Sequence, residues 1–403
     1  MSRWDRAYAW GLGYAMVVIT VPLGLWLVAR GHEYLLNLSS AVVVCGLAVA
    51  VVVRRGGAIP MRWVAVATVT AVAAAAGAAV GVAHHGLAQT ATGLRLVFVP
   101  VAMIVVVAAI PAAAVRRLLT LLSWLVVANA AAALIELAVG PAQLVRIGFS
   151  DDRNVRYIDG VFRVPGLTGF NAELGMLAGA YLLGYLAAWL TPHARPRARS
   201  WHLAAVAATV ALGLSTSRSG ALLVVGGMIG AVLLRRSRSR VRRVVSLALA
   251  GGLVVAVAGA FAVLGAAGSR SLFERFAVWG HLLRGVPLYG HGIGGAGAAT
   301  YSRVASSPPV FVDNYYLNIG LQLGPVAMVL LIGAVVAGLV WLARGSTAHP
   351  GWVMPIALVA GLAAASLVID TWEFPAALLA VFLFCAYGLR ACSADGRSPA
   401  APR

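Results

Sequence analysis

Apolar runs long enough to cross a hydrocarbon core of ~30 Å as single helices follow one another along almost the whole of this chain. A soluble domain cannot hide so much apolar surface, and its composition would run to about one quarter charged residues. Here 61% of the 403 residues are hydrophobic, 11% are charged and the mean hydropathy is +0.91. The chain therefore reads as an all-α polytopic membrane protein. Twelve transmembrane helices are expected, over 8–29, 34–53, 63–83, 94–115, 118–140, 169–190, 201–216, 219–234, 244–267, 313–343, 351–369 and 374–391, with one long loop between the ninth and tenth. The first follows Arg3 and Arg6, but it is too long for a signal-peptide core and no cleavage site follows it, so it is expected to be retained. Residues 1–391 are read as one membrane domain and 392–403 as a flexible tail.

Charge sets the expected orientation. All 31 basic side chains are arginine. Most fall in alternate connections: Arg3 and Arg6, then Arg54, Arg55 and Arg62, then Arg116 and Arg117, then Arg195, Arg197 and Arg199, then the run from Arg235 to Arg243, and last Arg344, Arg390, Arg397 and Arg403. Short cytoplasmic loops carry the basic excess in membrane proteins, so both termini are expected in the cytoplasm. The absence of lysine with abundant alanine, valine, glycine and arginine resembles the output of a GC-rich bacterial genome, so the membrane is expected to be a bacterial plasma membrane. A net charge of +19 would suggest nucleic acid in a soluble protein. Here it reads as a topology signal, and the run from Arg235 as an anchor against anionic lipid.

Only Asp5 and Asp395 of the 12 acidic residues fall on the basic side; Glu33, Glu136, Asp151, Asp152, Asp159, Glu173, Glu274, Asp313, Asp370 and Glu373 all map to the outer half. The outer face, built from loops 141–168 and 268–312, is thus the expected working face. A transporter would place ionisable groups near the midplane of broken helices, and the sequence offers no such set. Glu136 is expected to pair with an outer-face arginine. Cys45, Cys385 and Cys392 are unrelated in spacing and suggest neither a disulfide framework nor a metal site.

Four outer-face clusters are candidates for chemistry. In Phe162-Arg163-Val-Pro165-Gly166-Leu-Thr-Gly169-Phe-Asn171-Ala-Glu173, Arg163 is the ligand candidate and Asn171 a candidate helix cap. In Leu214-Ser215-Thr216-Ser217-Arg218-Ser219-Gly220, hydroxyls surround a planar, permanently charged guanidinium suited to a diphosphate; anchoring at the headgroups is the competing role. The segment 269–297 carries Arg270, Arg275 and Arg284, with Arg275 and Trp279 on one face of a short amphipathic helix. Its Gly290-His291-Gly292-Ile293-Gly294-Gly295 matches G-x-G-x-x-G, but no strand precedes it, so a tight turn allowing close approach to a ligand is expected rather than a dinucleotide site. Last, Asp313-Asn314-Tyr315-Tyr316-Leu317 opens the tenth span, where Asp313 would cap the helix or serve as a base.

In order and spacing these pieces resemble the bacterial O-antigen ligase and O-antigen polymerase superfamily. Ser217-Arg218-Ser-Gly220 is similar to its Ser-Arg-x-Gly element, and Arg275-Phe-Ala-Val-Trp279 with Pro287-Leu-Tyr-Gly290-His-Gly292-Ile-Gly294 to its Arg-x-x-x-Trp helix and following glycine motif. Asp313-Asn314-Tyr-Tyr-Leu317 stands where the family has His-Asn-x-x-Leu, and Arg163, Gly166 and Asn171 match an earlier Arg and Asn element. The chain departs in carrying Asp313 for the histidine and Phe170 for a proline.

The resemblance implies a C-type architecture and an inverting glycosyltransferase without metal or other cofactor. Its donor would be a glycan on undecaprenyl diphosphate and its acceptor a hydroxyl of another glycan or lipid-glycan, within a cell-surface glycan assembly complex. Arg218 and Arg275 would stabilise the diphosphate, aided by Arg163 or Arg284. Asp313 would accept the proton, with His291 in reserve, and Trp279, Asn314 and Tyr316 would line the substrate. A polysaccharide flippase and a non-catalytic partner of such a complex are the alternative classes. If the orientation is right, single cysteines replacing Arg153, Arg270 and Arg303 will react with an impermeant thiol reagent in intact cells, and one replacing Arg238 will not; external labelling at 238 would overturn the topology.

Overall fold

The computed structural model describes residues 2–29, 33–55, 61–150, 154–158, 160–191, 194–234, 279–282, 284–302, 304–306, 308–310, 312–348 and 350–393. The expected ninth span, Arg275 and the arginine run from 235 lie outside these described residues, as does the tail from 394.

Helix dominates because hydrocarbon offers no partner for a backbone N–H or C=O, so each must be satisfied within the segment. The helices are α1 (Arg3–Thr20), α2 (Pro22–Ala29), α3 (Glu33–Arg55), α4 (Met61–Ala109), α5 (Ala112–Val139), α6 (Pro141–Arg146), α7 (Asn171–Leu190), α8 (Arg199–Ser215), α9 (Arg218–Leu234), α10 (Tyr315–Leu323), α11 (Pro325–Ala348), α12 (Val353–Ala365) and α13 (Pro375–Ser393). A two-stranded antiparallel hairpin, β1 (Arg156–Ile158) and β2 (Val161–Arg163), sets Arg156 opposite Arg163. Among the described residues five helices are long and apolar enough to cross a membrane: α3, α4, α5, α7 and α11; α9, α12 and α13 are shorter apolar helices.

Two expected spans are broken, and two others run on as one bent helix. The first divides at Val21 and Pro22, because proline brings no N–H and its ring crowds the preceding turn. The tenth divides at Gly324 (φ 91°), ahead of Pro325, into α10 and α11. The long α4 turns at Gly86 (φ 77°, ψ 168°), a conformation open to glycine. Its two arms, which correspond to the third and fourth expected spans, fold toward each other so that Gly81 meets the Thr90 hydroxyl.

The core is centred on α7, packed by α5, α8, α9, α12 and α13. Tyr181 is fully buried, its hydroxyl 2.7 Å from Ser123 Oγ and its ring edge-on to Phe384 at 5.5 Å. Lipid tails are as apolar as leucine, so helices associate here through close van der Waals contact rather than escape from water. Small residues make that contact. A Cβ on Gly179 would stand 2.5 Å from the Gly220 carbonyl oxygen, and one on Gly220 2.2 Å from that of Gly175. Farther along α9, Gly226 and Gly230 lie against Ala364 and Ala360 of α12.

Because the obstacle to Gly179 is backbone, Gly179→Leu should force α7 and α9 apart and destabilise the detergent-solubilised protein by about 1–3 kcal/mol, the usual cost of overpacking. Gly338→Ala on α11, where nothing lies within 4 Å of the new methyl group, should leave the thermal midpoint unchanged. Equal midpoints for the two variants would contradict the packing.

Candidate functional site

The α9 helix runs antiparallel to α12, so its start stands at the end of the bundle where α12 passes into the turn that carries Asp370 and Glu373. Phe170, just before α7, meets Phe374, just before α13, with ring centroids 5.8 Å apart. The segments around Arg163, Arg218, Asp313 and Asp370 thus share one end. At the opposite end lie Arg116 and Arg197, both within electrostatic reach of Tyr387, and Arg390, whose guanidinium donates to the Val107 and Ala108 carbonyls at 2.8 and 3.0 Å.

At the acidic end, α8 stops at Ser215 and Thr216 takes a left-handed conformation (φ 48°, ψ 30°), the one non-glycine positive φ among the described residues. Arg163, at the end of β2, reaches this joint. Its Nε donates to Thr216 Oγ1 at 2.8 Å and to the Ser215 carbonyl at 3.4 Å, and its Nη2 donates to the Thr216 carbonyl at 3.2 Å. The Asn171 amide also donates to the Ser215 carbonyl, at 3.2 Å. Asn171 is therefore the first residue of α7 and a brace for α8; the cap position belongs to Phe170, which offers no side-chain bond. Ser217 caps α9 instead, its Oγ accepting from the Gly220 amide at 3.3 Å. Arg218 is the first residue of α9 and half-buried, where the helix dipole favours a bound anion.

The segment leading into α7 is fixed from below. Glu136 accepts from the Gly166 amide at 2.8 Å, so its partner is backbone rather than the arginine expected. Asn129 accepts from the Leu167 amide at 3.1 Å and donates to the Thr20 carbonyl at 3.1 Å.

The glycine-rich loop is a wedge rather than a cradle. Gly290, Gly292, Gly294 and Gly297 all have positive φ, but the first three approach the backbone of α4 and the end of α10, and Gly297 approaches the side chains of Glu373 and Asn318. Ile293 inserts between the arms of α4, touching Gly77, Gly81 and Gly93. The amides of His291, Gly292, Ile293 and Gly294 donate to Leu321 O (2.7 Å), Gln322 O (3.0 Å), Gly77 O (2.9 Å) and Gln322 Oε1 (2.8 Å). Gln89 donates to the Gly294 carbonyl at 2.7 Å. With those four donors spent, the loop has little left for a ligand, contrary to the expected role. The His291 side chain is exposed on it, and Arg284 is exposed beside it. Trp279, in a helical turn over 279–282, packs on Ala296, Val312, Leu317 and Leu321.

The cap of α10 is Asn314, not Asp313: its Oδ1 accepts from the Leu317 amide at 3.0 Å and its Nδ2 donates to the Leu367 carbonyl at 3.2 Å. Tyr316 donates to the Ala363 carbonyl at 3.1 Å. Asn314 thus ties the start of α10 to the turn after α12, and Tyr316 ties α10 to α12 itself. Asp313, one residue before the cap, is half-buried and near enough to Tyr301 and Glu373 to act on their charge.

Sequence reasoning passed over the acids beside it. Asp370 is buried; its Oδ2 accepts from the Asn318 amide group and its Oδ1 from the Trp372 N–H at 3.2 Å. Glu373 accepts from the Ala298 amide. The signal was present: two carboxylates within Asp370-Thr371-Trp372-Glu373, a four-residue link between apolar runs. Burial raises the Asp370 carboxyl to about 6, opposed by its Asn318 and Trp372 hydrogen bonds. Burial, and then the negative charge of Asp370, hold Glu373 well above the ordinary range.

A raised carboxyl value favours the folded state while the group is protonated, and that advantage is lost as pH climbs from the unfolded value of 3.8 to about 6. The thermal midpoint in detergent should therefore fall across that window. Asp370→Asn should flatten the slope, and an unchanged slope would mean that Asp370 titrates normally. Compared with known proteins, the chain matches no family model and no characterised sequence.

Proposed function

We propose that this chain is a membrane-embedded glycosyltransferase of the O-antigen ligase and polymerase type, working at the outer face of the bacterial plasma membrane. The observation that carries the reading is that the segments bearing two arginines, Arg163 and Arg218, and three acids, Asp313, Asp370 and Glu373, lie at one end of the bundle. The order of the sequence elements around Arg218, Trp279 and Asp313 supports it independently.

The donor is a glycan on undecaprenyl diphosphate. An acceptor hydroxyl attacks its anomeric carbon from the face opposite the phosphate, the new C–O bond forming as the bond to the diphosphate oxygen breaks with inversion. The bonding pair leaves on the diphosphate. Fixed positive charge at the start of α9 meets the developing negative charge in a low-dielectric site, where such stabilisation is strongest. Arg218 supplies it, together with Arg275.

The acceptor proton passes to Asp313. Asp370 is engaged by Asn318 and the Trp372 amide, and burial raises the Glu373 carboxyl well above its ordinary range; Asp313 stands where the resembled family carries its histidine and is the acceptor in this reading. An ordinary aspartate, near pKa 3.9, is a weak base, so its contribution is largely the placing of the hydroxyl and the charge it offers. Polymerase and ligase differ only in whether the acceptor is another lipid-linked repeat or a second lipid-glycan.

Arg218→Lys keeps the charge and loses the planar fork, so glycan transfer should fall by about 100-fold, the scale of losing one stabilising donor, while membrane accumulation stays normal. Asp313→Asn should lose transfer with an unchanged thermal midpoint, since it is not the cap. Purified protein given a short lipid-linked repeat should build a ladder if it is a polymerase. A ligase should act only once a second acceptor is added, and chelator should inhibit neither reaction. No new glycosidic bond under either condition would refute the reading and leave a flippase as the class to test.

A further inference from the structure

The joint between α8 and α9 is built on the wrong residue. A left-handed conformation suits glycine, or asparagine where a side chain is needed. A β-branched residue is the poorest choice, because its second Cγ substituent crowds the backbone. Thr216 holds this conformation at φ 48°, so the surrounding structure must impose it.

Arg163 is the group that does so. It grips both sides of the joint: Nε reaches Thr216 Oγ1 at 2.8 Å, and Nη2 reaches the Thr216 carbonyl at 3.2 Å. The Ser215 carbonyl takes a longer bond from Arg163 Nε and a second donor from Asn171. These are carbonyls that the end of α8 would otherwise leave without partners, and a positive group there also suits the negative end of the helix dipole. Directly beyond the joint, Ser217 caps α9 and Arg218 begins it. The dihedrals of one residue therefore set the direction in which α9 leaves, and with it the place of Arg218.

We propose that Arg163 and Thr216 are positioning residues for Arg218: the guanidinium braces a strained left-handed joint that aims the start of α9 at the site. This rests on the reading of Arg218 as the diphosphate contact, and it gives Arg163 a structural task in place of direct substrate binding.

The test is a double-mutant cycle read in two ways, with Thr216→Asn as the relaxed joint, because asparagine accepts the left-handed region without a brace. In a background with Cys45, Cys385 and Cys392 replaced, spin labels at Leu203 on α8 and Leu233 on α9, both exposed, report the angle between the two helices. Arg163→Ala should broaden or shift the label distance, and Arg163→Ala with Thr216→Asn should recover most of the original distribution. Arg163→Gln serves as a second, milder variant should the alanine protein accumulate poorly. An unchanged distance in both Arg163 variants would overturn the brace, whatever the activity.

The second reading is glycan transfer from the lipid-linked donor. Arg163→Ala should lower turnover on the order of tenfold with Thr216 present and much less in the Thr216→Asn background, the non-additivity expected of contacting residues. The same loss in both backgrounds would mean that Arg163 touches substrate directly and would overturn the positioning role. If the unaltered protein transfers no glycan, the functional reading fails, while the label distances still decide the brace.

Discussion

The bundle depends on bare backbone meeting bare backbone. Within lipid, a leucine gains nothing by turning from a neighbouring tail to a neighbouring helix, so apolar side chains alone do not fix one arrangement. The α7, α9 and α12 helices are fixed because Gly175, Gly179, Gly220, Gly226, Gly227, Gly230 and Gly361 let them approach to distances that any side chain would forbid. Such contacts are sensitive to register. A slip of one residue turns a helix face by about 100° and would bring Cβ atoms into the carbonyls now opposite these glycines. The same contacts fix Arg218, because Gly220 lies only half a turn into α9, pressed on Gly175, while a Cβ at Gly175 would overlap Ser217.

A second constraint runs sideways through hydrogen bonds. Gln89 of α4 holds the Gly294 carbonyl, the Gly294 amide holds Gln322 of α10, Gln322 holds Asn318, and Asn318 holds Asp370. Each side-chain amide in this chain donates on one side and accepts on the other. The row therefore satisfies groups that would be costly to bury alone and leaves no freedom to rearrange one member by itself. Gly297 completes it by lacking a side chain: a Cβ there would meet Glu373 Oε1 and Asn318 Nδ2. The glycines of the loop thus serve the carboxylates by letting a wedge reach them.

How much of this was legible in the sequence follows from the range of the interactions. Apolar length and the separation of arginines from acids are local or additive features, and they marked the apolar helices and the acidic end; Pro22 and the Gly324-Pro325 pair were equally local signals, but apolar length alone ran the first and tenth spans across them. What escaped were choices between adjacent residues. Asp313 and Asn314 are equal candidates for a cap until the position of Leu317 is known. Asn171 is an apparent cap until α8 arrives with an unsatisfied carbonyl at Ser215. The glycine motif reads as a ligand loop until α4 closes around Ile293, and the partner of Glu136 is an amide 30 residues away. Asp370 and Glu373 were visible as acids, but their burial depends on α10 and on the wedge, which no neighbouring residue announces.

The protonation of those acids bears on the proposed chemistry. Three carboxylates at the end of the bundle proposed to bind a diphosphate would repel that donor if all were ionised, and the repulsion would be felt strongly where water is scarce. Burial resolves this without removing the residues. Glu373, shielded and beside Asp370, has its carboxyl raised well above the ordinary range, and the Ala298 amide still donates to its oxygen. Arginine cannot be neutralised in the same way, because its guanidinium remains protonated even when desolvated. Desolvation therefore acts on the two signs unequally, raising the Asp370 and Glu373 carboxyls toward their neutral forms while the arginine side chain keeps its charge. The same burial that makes this end of the bundle costly to build shifts its field toward positive, the sign that a departing diphosphate requires.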